Sequence, residues 1–161
     1  QPMLQVTSLL TFSLFLKSST FGVSVEGFCF LPYNWNMIPC VFCEINIEKV
    51  VSSSPMTLTI RDEFPISKGH TLVISKRHIA AFFDASDEEV LELMNAVKTA
   101  KEQLDIEFSP SGYNIGINSG ECAGQTVQHL HIHLIPRYEN DVIDPRGGVR
   151  WIIPEKANYW E

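Results

Sequence analysis

The stretch His129-Leu130-His131-Ile132-His133-Leu134-Ile135 sets an imidazole at every second position, with a branched apolar residue between each pair. Successive side chains of a β-strand point to opposite faces, so this is the period of a strand. Leu130, Ile132 and Leu134 are expected to face a core, and His129, His131 and His133 to line the other side. The chain has five histidines in all, and three of them at period two point to function more than to packing. At ~3.3 Å rise per residue, imidazoles two apart stand roughly 7 Å apart and the outer two about 13 Å apart. Zinc ligands must come within ~2.0–2.1 Å of the ion, so one metal cannot take all three rings and their jobs are separate.

Upstream of the strand, Gly120 and the run Gly124-Gln125-Thr126-Val127 form a small-residue loop. Such a loop lets backbone N–H groups approach an anion closely. A histidine nucleophile or acid beside an anion cradle reads as phosphoryl or nucleotidyl transfer.

The remaining chain supplies a frame for that strand. Residues 56–60 alternate Thr57 and Thr59 with Met56, Leu58 and Ile60, predicting a half-buried strand. Ser52-Ser53-Ser54-Pro55 reads as a turn, and residues 61–69 as a loop around Pro65. Residues 70–75 are nearly all apolar and suit a buried central strand. Ser86 followed by Glu89 is a capping box opening one long helix, with Val90, Met94, Val97, Ala100 and Leu104 as its apolar stripe. Residues 113–118 again run at period two, with Tyr113, Ile115 and Ile117 on one face. Strands around one helix predict an α+β domain.

Composition sets the class. The chain has 161 residues, 45% apolar and 19% charged, with a formal charge of −7. That fits one globular domain and argues against a general nucleic-acid binder, whose affinity rests on basic surface. It does not count against a mononucleotide held by local donors. Four cysteines, Cys29, Cys40, Cys43 and Cys122, are too few and too uneven for a disulfide framework. Cys40 and Cys43, at C-x-x-C spacing, read as half a zinc site or a redox pair, or else as free buried thiols.

The segment Gly124 to Arg137 resembles the signature of the histidine-triad (HIT) superfamily of nucleotide hydrolases and transferases. Gly69-His70-Thr71-Leu72-Val73-Ile74-Ser75-Lys76-Arg77-His78 looks like that family's central strand and following turn. Cys40-Val41-Phe42-Cys43 looks like the opening of its zinc-carrying members, and Asp144-Pro145-Arg146-Gly147-Gly148-Val149-Arg150-Trp151 like the tail of a bacterial subset. The resemblance covers roughly residues 37–161, with 141–161 as tail. It implies a five-stranded antiparallel sheet with one long helix and shorter helical pieces, and a homodimer whose sheets join. It also implies a cytoplasmic protein.

The same resemblance implies roles. His131 would be the nucleophile on the α-phosphorus of a nucleoside 5′-phosphoryl conjugate, a dinucleoside polyphosphate or a nucleoside phosphoramidate. His133 would contact the phosphate and help the leaving group. Asn118 would donate to a non-bridging oxygen, unless it is an ordinary strand-end cap, and Gln125 and Thr126 would add loop donors. Asp62 would accept from both hydroxyls of the ribose of a purine nucleotide, unless it only caps the turn Arg61-Asp62-Glu63. Cys40, Cys43, His78 and His129 would hold a structural zinc that clamps the N-terminal segment to the sheet. Cys29 and Cys122 receive no role, and His70 reads as structural. Alternatives to a hydrolase are a nucleotidyl transferase or phosphorylase, and a nucleotide-binding interaction module with incidental turnover.

Two ends differ in character. Residues 1–36 carry only Lys17 and Glu26 as charges and include Leu9-Leu10-Thr11-Phe12-Ser13-Leu14-Phe15-Leu16. That run is too short to span a bilayer and has no cation before it. With Met37 three residues before Cys40, residues 1–36 are expected to be an extension outside the domain or a mis-assigned upstream translation, a targeting segment being the alternative. In the tail, Arg146 and Arg150 flank Gly147-Gly148 and are expected to follow a polyphosphate near the nucleotide site of this chain or of a partner subunit. The alternative is a packed segment held by Trp151 and Trp160.

Overall fold

The computed structural model of the protein describes residues 39–160, so the expectations for residues 1–36, Met37 and Cys29 lie outside the described residues. Five strands, β1 (Val50–Ser53), β2 (Thr57–Arg61), β3 (Thr71–Ser75), β4 (Gly112–Gly116) and β5 (His131–Arg137), form one sheet in the order β1-β2-β3-β5-β4. Every neighbouring pair is antiparallel. One helix, α1 (Asp87–Phe108), and short 3-10 turns complete the fold. Among the described residues, no helix is long and apolar enough to cross a membrane.

The alternation in β5 sorts the sheet into two faces. Leu130, Ile132 and Leu134 are buried with Val73 and, from α1, Leu93, Val97, Ala100 and Leu104. Burying each such leucine contributes ~1.5–3 kcal/mol. The helix stripe therefore runs through Leu93, while Met94 is exposed and Val90 half-buried. This corrects the expected stripe by one position: 93, 97, 100 and 104 keep the i, i+4, i+7 spacing that 94 breaks. On the opposite face Ile60, Leu72 and Ile74 pack with Phe42, Ile45 and Val50. The sheet thus has apolar cover on both sides. That explains why Thr57 and Thr59 are buried rather than facing solvent; Ser54 Oγ lies 2.9 Å from Thr57 Oγ1.

Other boundaries shift modestly. Ser52 and Ser53 belong to β1 rather than to the turn, paired with Thr59 and Leu58. The strand after Ser111 ends at Gly116. Pro136 stands inside β5, opposite Tyr113 of β4. The Arg137 carbonyl accepts from Ser111 on the β4 side. By alternation Pro136 faces the other side, where pairing with β3 has stopped at Thr71↔Leu134, so its missing N–H costs no ladder bond.

The predicted capping box is present. Ser86 Oγ accepts from Glu89 N–H and the Glu89 carboxylate accepts from Ser86 N–H. Glu89 also takes two bonds of 2.7 Å from Arg77, whose guanidinium holds its carboxyl down to about 2. The stabilisation is complete above the ordinary glutamate value of 4.5 and is lost as pH falls toward 2. Glu89→Gln should therefore lower the melting temperature near pH 7 and flatten its decline between those pH values; parallel melting-pH curves for variant and wild type would contradict this. Gly69, at φ +82°, offers a second check, since a Cβ there would meet the Phe108 ring at 2.8 Å and Leu104 at 2.9 Å. Gly69→Ala should cost more than about 1 kcal/mol in urea unfolding.

Candidate functional site

His131, His133 and Ile135 leave β5 on the face opposite α1, and antiparallel pairing brings Ile74 beside His131 and Leu72 beside His133. The His131 and His133 ring centroids are 5.0 Å apart with planes at 69°, closer than the roughly 7 Å expected from backbone rise, because the rings lean together. His129, just before the strand, is almost completely buried.

Each of the three rings has a different set of partners. His129 Nε2 lies 2.6 Å from the Ser75 carbonyl, and donating there leaves Nδ1 as its unprotonated nitrogen. Nδ1 lies 3.3 Å from Cys40 Sγ and 3.6 Å from Cys43 Sγ, and His78 Nδ1 lies 3.2 Å from Cys43 Sγ. A tetrahedral zinc with two thiolates and two imidazoles has S···N edges of about 3.5 Å, so these four residues fit the ion. The carbonyl anchor on His129 is the outer bond that fixes a ligating imidazole. A turn in which Cys43 N–H and Glu44 N–H donate to the Cys40 carbonyl aims both thiols at one point.

His131 Nδ1 lies 2.7 Å from the His129 carbonyl. A carbonyl only accepts, so the proton sits on Nδ1 and Nε2 keeps its lone pair. Phe42 stands edge-on against this ring, centroid to centroid 5.0 Å. His133 Nδ1 lies 3.0 Å from Nε2 of His70, whose Nδ1 accepts from Ile66 N–H at 3.4 Å and has Asp62 Oδ2 at 3.4 Å. Burial, then the neighbouring rings of His131 and His70, pushes His133 down to about 4, so it is neutral near pH 7. Burial also lowers His70, against the opposing pull of Asp62.

His70 is therefore part of the site and not only a structural residue. Its position two residues before Leu72, on the face of β3 that meets His133, was the available sequence signal. Asp62 divides its oxygens: Oδ1 accepts from Phe64 N–H at 2.8 Å, the turn cap, while Oδ2 faces His70 and, at 3.9 Å, His133. The turn cap expected of Asp62 is present, and it leaves Oδ2 on the cavity side.

The loop residues separate. Gln125 is buried; its Oε1 accepts from Gly120 N–H at 2.7 Å, and its Nε2 donates to the carbonyls of Ala80 at 2.8 Å and Val127 at 3.1 Å. Its amide holds the loop and is not free for a ligand, contrary to the expectation of a loop donor. Thr126 is exposed, and Asn118 makes one long contact of 3.5 Å to the Gly124 carbonyl. Asp62, Asn118, Thr126, His70, His131 and His133 line one cavity of about 1130 Å³. Cys122 is exposed and outside that lining.

The tail reaches the same cavity through Gly148, Val149, Trp151 and Ile152, but not through its arginines. Arg146 pairs with Asp144 and lies over the Trp160 ring at 4.5 Å. Arg150 donates to the carbonyls of Ala157 at 3.0 Å and Lys156 at 2.6 Å. Both guanidinium groups fold the tail, which corrects the expectation that they read a polyphosphate.

This arrangement has counterparts among known proteins. The HIT domain family model matches residues 45–140. An uncharacterized HIT-like protein of Methanocaldococcus jannaschii is 43% identical over 106 residues, 63% of this chain and 81% of that protein. From Schizosaccharomyces pombe, an adenosine 5′-monophosphoramidase is 36% identical over 61% of this chain and 74% of its own length. An asymmetrical bis(5′-nucleosyl)-tetraphosphatase from the same yeast is 42% identical over 48% of this chain and 42% of its own length. A HIT family protein of Bacillus anthracis superposes with TM-score 0.59 at 39% identity, over 63% of this chain and 74% of that one. A zinc-bound histidine triad protein of Mycobacterium smegmatis does so with TM-score 0.55 at 29% identity, over 68% and 73%. The sheet order, the alternating imidazoles on its open face and a family match across most of the described residues lead to one assignment: the chain belongs to the HIT domain family.

Proposed function

We propose that the protein is a nucleotide hydrolase that attacks the α-phosphorus of a nucleoside 5′-phosphoryl conjugate, with His131 Nε2 as nucleophile. One observation carries this reading. The His129 carbonyl holds the His131 proton on Nδ1, so a bare Nε2 faces a cavity that also holds a carboxylate, an amide and a second neutral imidazole. Recognition of a nucleotide alone needs no free imidazole nucleophile. The named activities of the two yeast relatives, on a dinucleoside tetraphosphate and on an adenosine phosphoramidate, support the substrate class.

In the first step Nε2 forms a bond to phosphorus as the bond to the leaving oxygen or nitrogen breaks. Ile66 N–H donates to His70 Nδ1 and His70 Nε2–H to His133 Nδ1, so neutral His133 carries its proton on Nε2 and donates that hydrogen bond to the leaving atom. A polyphosphate leaves as its anion, and an amine takes its proton from solvent. Water then attacks phosphorus, the phosphorus–nitrogen bond breaks, and the water's proton passes to solvent. Asp62 Oδ2 receives the ribose hydroxyls, and Asn118 and Thr126 donate to phosphate oxygens. A zinc ion held by Cys40, Cys43, His78 and His129 supplies structure only, pinning residues 40–45 onto the sheet face that carries His131. The sheet ends at β4, whose outer edge offers unpaired backbone groups to a second copy, consistent with a homodimer.

His131→Asn should keep nucleotide binding and lose several orders of magnitude in turnover, as when a covalent route is removed. Rapid quenching of the wild type followed by intact-mass measurement should show one nucleoside monophosphate adduct per active chain. Near-normal turnover in His131→Asn would end the covalent reading and leave a binding module. The zinc assignment has its own check. Metal analysis of protein purified without added metal should find close to one zinc per chain, with Cys43→Ser losing it and melting lower; a metal-free wild type of equal stability would refute the structural zinc.

A further inference from the structure

The cavity that holds His131 extends well beyond it, and the strand order β1-β2-β3-β5-β4 gives the direction. From His131 and His133 on β5 the floor runs through Leu72 on β3 and Ile60 on β2 to residues 41–49, which lead into β1. At ~4.8 Å per strand, three steps carry the cavity about 14 Å from the strand of the nucleophile. Asp62 lies along that line, one residue past the end of β2. A nucleoside monophosphate with its phosphorus at His131 and its ribose at Asp62 therefore has its base toward β2 and the entry to β1.

That end of the cavity has apolar walls and a polar rim. Phe42 and Ile45 pack on Ile60 and Leu72, whereas Phe64 is 85% exposed although it lines the cavity. A flat ring resting against Phe64 would cover apolar surface that the chain leaves open to water. At the rim stand Lys49 and Glu63. Lys49 ends the turn Ile47–Lys49, and the pairing of Val50 with Ile60 sets it opposite the residues that follow β2. Its ammonium donates to Glu63 Oε1. Both residues line the cavity, and Lys49 is the one lysine or arginine in that lining among the described residues. Neither side chain has another hydrogen-bond partner among the described residues, and more than half of each is exposed, so the pair adds little to stability. It does set a donor beside a two-oxygen acceptor at the edge of an apolar slot.

We infer that Lys49 and Glu63 select the base and favour guanine over adenine. The inference rests on the hydrolase reading, which leaves the base open. On the pairing edge of guanine, O6 accepts from the Lys49 ammonium while N1–H and the 2-amino group donate to the two oxygens of Glu63. Adenine presents one donor group and one acceptor on that edge, so it engages only one carboxylate oxygen. The difference is one charge-assisted hydrogen bond, and with it the paired geometry that a carboxylate reads best.

The test compares binding, so it does not depend on turnover. Calorimetry on the full chain would titrate GMP, IMP and AMP, with the ratio of affinities as readout. The wild type should bind GMP roughly tenfold more tightly than AMP, the scale of one such bond at a partly exposed site. IMP, which lacks the 2-amino group, should fall between them. Glu63→Gln should bring GMP and AMP together, because an amide has one acceptor oxygen where guanine offers two donors. Lys49→Met, which removes the partner of O6, should also lower the ratio. Equal binding of GMP and AMP by the wild type would overturn base selection and leave the hydrolase reading standing. A guanine preference undiminished in both variants would show that other groups read the base, and would overturn the assignment to this pair. If the wild type binds none of the three nucleotides, both readings fall.

Discussion

The hydrogen bond from the His131 ring to the carbonyl of His129 connects the two halves of the site. On one side of it, the His129 ring is locked between the Ser75 carbonyl and the Cys40–Cys43 thiols. On the other, it decides which nitrogen of His131 is bare. A shift in the His129 backbone would alter both at once. A metal bound at the cysteines would therefore bear on His131 by immobilising a carbonyl two residues away. Three rings at period two stand apart because each meets a different partner: His129 the Ser75 carbonyl, His131 the His129 carbonyl and His133 the His70 ring.

Much of this was legible in the sequence because it was local. The capping box at Ser86 and Glu89, the two faces of β5 and the C-x-x-C turn each depend on residues a few positions apart, where spacing alone fixes geometry. The stripe of α1 was read one residue off at Met94, since Leu93 and Met94 are both apolar and only the sheet beneath the helix chooses between them. The buried threonines of β2 have a related cause: alternation predicts one solvent face, and nothing local reveals that α1 covers the threonine side, where Thr59 pairs with Val73, while residues 42–50 cover Ile60 on the other.

Side-chain roles were less legible where they turned on partners distant in the chain. His70 meets His133 across 63 positions, and only the β3–β5 register brings them together. Gln125 looked like a ligand donor because it sits in a glycine loop, yet Ala80, 45 positions away, takes its amide proton. Arg146 and Arg150 looked like phosphate readers because arginine often is one, yet the tail consumes both in its own carbonyls, carboxylate and aromatic rings. A cation's availability is settled by what folds beside it, and composition does not record that.

The proline inside β5 has a consequence for how the sheet keeps its register. Pro136 is fully buried, opposite β4 on one side and just past the end of the β3 pairing on the other. With no N–H to give, it marks the point beyond which β3 gains no bond by sliding along β5. Such a slide would also carry Leu72 away from His133 and Ile74 away from His131, so a residue with no polar hydrogen favours the one alignment that builds the open face.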